Sequence, residues 1–309
     1  MGNGADSRRG RRLGLLLIVL VAAAGSVVAV FYLRPQQDSS AAPPAPPGSD
    51  IGGGTGRYVA LGDSYTASPR TGAPVGDPPG CDRSDNNYPR LIAAELRPAE
   101  FADVSCSGAT TANLTGPHQT NNGTNPPQLD AVNADTTLVT LGIGGNDVGF
   151  IGLARDCATN DRNVSPCRAR LDTGGRDQLA ERIDATAPKI ADVLDRIRGK
   201  APKARVIVVG YPTALPAGTG CWPFLPLGPD DVAYLRESAA RFNRTLAAQA
   251  KSHQAGFADT TKPSKGHDMC TKASTKWVED LVPSAPALSL HPNAKGERAM
   301  ADAVLELLS

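Results

Sequence analysis

Charge imbalance is the first thing this chain lacks. Its 32 Lys and Arg against 31 Asp and Glu leave a formal net charge of +1 over 309 residues, which gives no electrostatic footprint for nucleic acid. Histidine is scarce, at four residues, so few side chains can serve as a neutral-pH base. No CxxC or Cys/His spacing suggests zinc, and no internal repeat points to a solenoid. Aromatics make up only 5%, whereas 32 Gly and 26 Pro are plentiful, so long turn-rich loops are expected. What remains is ordinary for a folded protein: 40% hydrophobic and 20% charged residues, in a length that suits one large domain or two ordinary ones.

The first part of the chain reads differently. Residues 1–12 form a basic segment ending in Arg8 to Arg12, RRGRR, and are expected in the cytoplasm. Residues 13–33 carry no charge, and at about 1.5 Å per residue a helix there reaches about 32 Å, a membrane span. They read as an uncleaved signal anchor. The rival reading is a cleaved signal peptide, with Ala22, Ala23 and Ala24 before Gly25 as the cleavage site, although the apolar run continues past it. Both readings export the rest of the chain. Residues 34–56 are a Pro-rich, then Gly-rich tether with nothing to bury, so the folded unit is expected over 57–309. All six cysteines fall on the exported side, and an even number there reads as disulfides. Their sequence neighbourhoods favour Cys81–Cys106, Cys157–Cys167 and Cys221–Cys270, three bridges stapling successive loop regions.

Within the folded unit, short apolar runs alternate with helical spacing. Strands are expected over 58–61, 100–104, 137–141, 205–210 and 256–259; TLVTLG and RVIVVG are almost continuously apolar, as strands covered on both faces must be. Helices are expected over 88–96, 177–198, 230–251 and 294–308. The second places Leu179, Ile183, Ala187, Ile190, Leu194 and Ile197 on one face, with a bend at Pro188, and the third has Asp230 as its capping candidate. Strands alternating with helices imply a parallel sheet with helices on both faces, whose sites gather at the carboxyl ends of the strands.

Three segments lie just past such strands. Gly62-Asp63-Ser64 offers a hydroxyl at a helix start, where a simple capping role for Ser or Asp is the bland alternative. Ser105 to Ala109 contains Gly108, which lets a backbone N–H approach a ligand. Gly144-Gly145-Asn146-Asp147 offers the Asn146 amide, though the same residues suit an ordinary turn. A serine nucleophile needs a base. His118 sits in a polar loop, His253 at the end of a long helix and His267 beside a cysteine; His291 precedes Pro292 and Asn293 at the start of the last helix.

In this order, GDSY with Ser64, the Gly108 turn, GGND with Asn146 and HPN with His291 resemble the four sequence blocks of the SGNH hydrolases, the GDSL esterase/lipase family. The resemblance spans roughly 57–309 and is nearest to the secreted actinobacterial lipase/esterase branch, which the loop cysteines and VVGYP (Val208 to Pro212) also suit. It implies a three-layer α/β/α sandwich with a five-stranded parallel sheet, the flavodoxin-like SGNH hydrolase fold. It implies Ser64 as nucleophile, His291 as general base and then acid, and an oxyanion hole made of the Ser64 N–H, the Gly108 N–H and the Asn146 side chain, with no metal and no cofactor. The substrate is then an ester or lipid, and a monomer is expected, exported and either membrane-anchored or released.

Two departures stand out. Tyr65 replaces the usual Leu, which bears on acyl fit more than on mechanism. Leu288 occupies the position three before His291 where the family often has Asp, so no carboxylate orients the imidazole from there. The Leu288 carbonyl is the expected substitute, giving a dyad rather than a triad, with Asp63 a structural hydrogen-bonder. A polysaccharide deacetylase of the same fold and a non-catalytic surface binding protein are the competing readings.

Overall fold

The structure, a computed structural model, describes residues 56–309. The basic segment, the apolar span and nearly all of the tether expected over 1–56 lie outside the described residues. Among the described residues no helix is long and apolar enough to cross a membrane.

Five strands form one sheet: β1 (Arg57–Gly62), β2 (Glu100–Asp103), β3 (Thr136–Gly142), β4 (Arg205–Val209) and β5 (Gly256–Ala258). All neighbours pair in parallel, in the order β2-β1-β3-β4-β5. The helices, in chain order, are α1 (Ser64–Ala67), α2 (Tyr88–Leu96), α3 (Gly145–Val148), α4 (Phe150–Asp156), α5 (Pro166–Leu171), α6 (Gln178–Lys200), α7 (Pro229–Ser252), α8 (Thr261–Ser264) and α9 (Ala294–Leu308).

The period-two geometry of the strands divides the core. Tyr58 and Ala60 of β1, with Leu138, Ile207 and Val209, face Ile92 of α2 and Met300 and Val304 of α9. Val59 and Leu61, with Val139, Leu141 and Val208, face Ile183, Ile190 and Leu194 of α6 and Phe242 and Leu246 of α7. Both faces are covered, which is why TLVTLG and RVIVVG read as almost continuous apolar runs. This is the expected three-layer α/β/α sandwich. Each large aliphatic so buried contributes about 1.5–3 kcal/mol.

Helix starts follow capping chemistry. The Asn87 side chain accepts from Arg90 N–H ahead of α2, and Asp177 accepts from the Leu179 and Ala180 N–H groups ahead of α6. Helix α6 continues through Pro188 as one element. Helix α7 differs from expectation: Gly228, not Asp230, is its cap residue, with Pro229 as the first helical position. The reason is a close approach, since a Cβ at Gly228 would lie 2.1 Å from the Val164 carbonyl oxygen. Asp231, in the first turn, accepts from the Cys167 and Arg168 N–H groups and so holds α5 to α7. The six cysteines close the bridges Cys81–Cys106, Cys157–Cys167 and Cys221–Cys270.

Strand order reverses direction between β1 and β3, and at such a switch point the loops leaving the two strands diverge and open a crevice. The Ser64 and Asn146 segments are those two loops.

Candidate active site

Strand β1 ends on Gly62 because no side chain fits there: a Cβ would meet Thr66 Oγ1 at 2.1 Å and the Gly142 carbonyl oxygen at 2.6 Å. The chain then turns, with Asp63 N–H donating to that Gly142 carbonyl at 3.0 Å. Asp63 is the N-cap of α1, its Oδ1 accepting from Tyr65 N–H at 2.9 Å. The capping role therefore falls on Asp63, which leaves the hydroxyl of the buried Ser64 free to face elsewhere.

It faces His291. Ser64 Oγ and His291 Nε2 are 2.7 Å apart, although 227 residues separate them in sequence. On the other side of the ring, Nδ1 lies 2.8 Å from the Ser289 carbonyl oxygen. A carbonyl oxygen can only accept, so Nδ1 carries the proton and Nε2 of the neutral ring accepts from Ser64 Oγ–H. The expected Leu288 carbonyl does not fill this role. It accepts the backbone N–H of His291 at 3.2 Å, closing a turn in which Leu290 has φ +67°. That left-handed residue redirects the chain, so the carbonyl two residues before the ring, not three, reaches Nδ1. Burial drives the His291 pKa down to about 4; the Ser289 carbonyl opposes the shift and the charge of Arg155 adds to it.

Asn146 sits in the first turn of α3, after Gly144 at φ +107°, where a Cβ would meet Phe242 Cζ at 2.8 Å. Its Nδ2 donates to the Ala109 carbonyl at 2.8 Å, leaving its second amide hydrogen for a ligand. Asp147 accepts from the Thr111 N–H and hydroxyl at 2.9 and 2.6 Å, so two contacts lock the Gly108 and Asn146 turns together. Gly108 itself has φ +81°. Its turn hangs from the segment that carries Ser64 through Cys106 N–H to the Gly62 carbonyl at 3.0 Å. The Gly108 N–H is not spent on another backbone group among the described residues. Ser64 and Asn146 line one cavity; Gly108 lies outside its wall.

That cavity, about 100 Å³, is polar only near Ser64, Asn146 and Asp63. Away from them its walls are Phe150 and Ile151 of α4, Leu215, Leu225 and Leu227 of the loop before α7, and Met269. The remaining histidines stay apart from Ser64: His253 pairs with Asp195 at 2.6 Å, His267 stacks on Trp277 at 3.8 Å, and His118 lies in a two-stranded ribbon beside Gly108. Among the described residues the compact metal-ligand grouping is Cys157, Cys167 and Asp231. Both sulfurs there are joined to each other and Asp231 accepts from backbone N–H groups, so its role is structural.

Sequence reading missed Tyr211. Its hydroxyl donates to Asp63 Oδ2 at 2.5 Å and accepts from Gly145 N–H at 2.9 Å, bridging the turns after β1 and β3. Burial pushes Asp63 up to about 7 against the pull of the Tyr211 hydroxyl and Tyr65 N–H, while the nearby charge of Asp147 adds to the rise. The only sequence signal for Tyr211 was its place just past a strand, in VVGYP. Glu279 was missed as well. It accepts from Asn293 Nδ2 at 2.6 Å and its N–H donates to the His291 carbonyl at 2.9 Å, while Asn293 Oδ1 caps α9.

A five-stranded parallel sheet with Ser, Asn and His gathered at its switch point defines an α/β ester hydrolase. The chain belongs to the GDSL-like Lipase/Acylhydrolase family, whose model matches residues 60–299. It is 38% identical over 260 residues to Lipase 2 of Streptomyces coelicolor, covering 81% of this chain and 85% of that protein. Lipase 1 of the same organism is 32% identical over 242 residues, covering 78% and 82%. Among solved structures, a phospholipase A1 from Streptomyces albidoflavus superposes with a TM-score of 0.70 at 28% identity, covering 82% of this chain and all of that one. An extracellular lipase from Streptomyces rimosus superposes with a TM-score of 0.67 at 31% identity, with the same coverage.

Proposed function

We propose that this chain is an exported serine esterase or lipase that hydrolyses carboxylic esters through a Ser64–His291 dyad and a covalent acyl-enzyme. The observation that carries this reading is the 2.7 Å contact from Ser64 Oγ to a His291 Nε2 left unprotonated by the engagement of Nδ1 with Ser289. Ser64 Oγ attacks the ester carbonyl carbon as its proton passes to Nε2. The oxygen that gains negative charge is met by the Ser64 N–H, the Gly108 N–H and the free Asn146 amide hydrogen. The C–O bond to the alcohol then breaks, and the imidazolium Nε2–H protonates the departing oxygen. Water repeats the sequence on the acyl-Ser64, giving its proton to His291 and releasing the acid. The neutral Ser289 carbonyl fixes the tautomer but stabilises imidazolium less than a carboxylate does.

The apolar cavity suits a hydrocarbon acyl chain, which favours lipid-type esters over acetylated glycans. Export is supported by three disulfides and by the likeness to an extracellular lipase; the anchoring or signal role of residues 13–33 belongs to the same proposal. All the proposed site residues come from one chain. Hydrolysis of p-nitrophenyl esters of increasing acyl length by the whole chain, beside Ser64→Ala, tests the reading. The Ser64→Ala variant is expected to be inactive, and equal activity in the two proteins would remove Ser64 from the mechanism. Activity confined to acetyl esters would point to the deacetylase instead.

A further inference from the structure

Position 65 is where the nucleophile block departs from Leu, and the Tyr there does more than line the cavity. Its hydroxyl donates to the Leu290 carbonyl at 2.6 Å, the carbonyl of the peptide that leads into His291. Its ring packs obliquely on the imidazole, with centroids 4.9 Å apart and planes at 40°. Tyr211 supports the same ring edge-on, at 5.1 Å and 63°. The residue beside the nucleophile thus grips both the backbone and the ring of the histidine that faces it.

His291 needs such a grip. With Leu288 in place of an acid, Nδ1 has a single neutral acceptor, the Ser289 carbonyl. One hydrogen bond sets the direction of Nδ1–H but leaves the ring able to pivot about it, and the loop beneath carries a left-handed Leu290 at φ +67°. We propose that Tyr65 is a positioning residue that supplies the orientation a triad carboxylate would otherwise provide, its hydroxyl pinning the 290–291 peptide and its ring fixing the imidazole plane so that Nε2 stays on Ser64 Oγ. The proposal rests on the Ser64–His291 reading.

A Leu at this position could neither donate nor present a flat face. The titratable groups facing the pair are Asp63 from the preceding turn, Glu297 from α9 and Arg155 from α4, together with the Tyr211 phenol, which burial pushes up so that it stays neutral. Burial and the charges of Asp63 and Glu297 push the Tyr65 phenol well above its ordinary value, so it remains a donor throughout any assay range.

The test compares Tyr65→Phe and Tyr65→Leu in the whole chain, measuring kcat and KM across the acyl series and against pH. In Tyr65→Phe, kcat is expected to fall about tenfold at every acyl length with KM unchanged, the rate equivalent of one neutral hydrogen bond. Tyr65→Leu is expected to lose roughly a further tenfold with the aromatic contact. The acid limb of its kcat/KM profile should also move to higher pH as water reaches the imidazole. An acyl-length-dependent change in KM with kcat and acid limb unmoved would make Tyr65 a wall of the acyl site and overturn the proposal, as would wild-type kinetics in both variants. If Tyr65→Leu fails to fold, the nearly isosteric Tyr65→Phe decides alone. Undiminished activity in Ser64→Ala and His291→Ala would overturn the dyad itself; a deep loss in those two beside an unaffected Tyr65→Phe would overturn only the role of Tyr65.

Discussion

The three disulfides separate stability from catalysis in a way that paired Cys→Ala variants can measure. Their closed loops span 10 residues for Cys157–Cys167, 25 for Cys81–Cys106 and 49 for Cys221–Cys270. In the chain-entropy account, cross-links of these lengths are worth about 2.7, 3.5 and 4 kcal/mol respectively. Stability loss should therefore rank by loop length, with Cys221–Cys270 the most costly. Kinetic loss should follow position instead. Cys106 lies two residues before Gly108; its N–H reaches the Gly62 carbonyl, and Ser107 N–H reaches the Cys81 carbonyl. Opening this bridge loosens the Gly108 turn against the nucleophile segment, so kcat is expected to fall about tenfold or more while KM changes little. The Cys221–Cys270 bridge closes a loop containing Leu225, Leu227 and Met269, three walls of the acyl cavity. Its removal should raise KM for long acyl esters and leave kcat on short ones nearly intact. Urea unfolding gives the first ranking and initial rates on folded protein give the second. Unchanged unfolding midpoints, or the same kinetic signature in both variants, would refute the reasoning.

Two further outcomes are expected. His291 must be neutral to take the Ser64 proton and its pKa is pulled down to about 4, so kcat/KM should hold through pH 5 and be lost as pH falls through about 4; a limb near the ordinary histidine value of about 6.5 would contradict its burial. Asn146→Ala should lower kcat about 10²–10³-fold with a smaller effect on KM, and an undiminished kcat would take Asn146 out of the oxyanion hole.

Much of the fold was legible because the sheet is buried on both faces. Leu138, Val139 and Leu141, like Val206 to Val209, are buried between helices and read as apolar, and Ile183, Ile190 and Leu194 repeat at helical spacing on one side of them. The candidate residues were legible as ordered blocks, each beside a strand end. What remained hidden depends on where the chain turns in three dimensions. Whether Leu288 or Ser289 offers its carbonyl to His291 is decided by one left-handed residue, Leu290, which no Gly announces. The Gly228 cap depends on the approach of Val164, 64 residues earlier. Tyr211 and Tyr65 join segments far apart in sequence through single hydroxyls, Glu279 ties down the loop around His291 through one carboxylate, and such contacts leave no periodic trace.

A sequence separation of 227 places Ser64 just past the first strand of the fold and His291 just ahead of the last helix. Closing a span of that length costs chain entropy, which the packing that holds its two ends must offset. Activity on esters thus depends on the carboxyl-terminal segment being seated against the sheet. Helix α9 docks through Met300 and Val304, and Glu297 in its first turn accepts the Tyr88 N–H at 2.7 Å. A chain clipped before α9 would keep every strand and His291 itself, but it would uncover the face of the sheet on which Met300 and Val304 pack, and is expected to lose stability and activity on esters together.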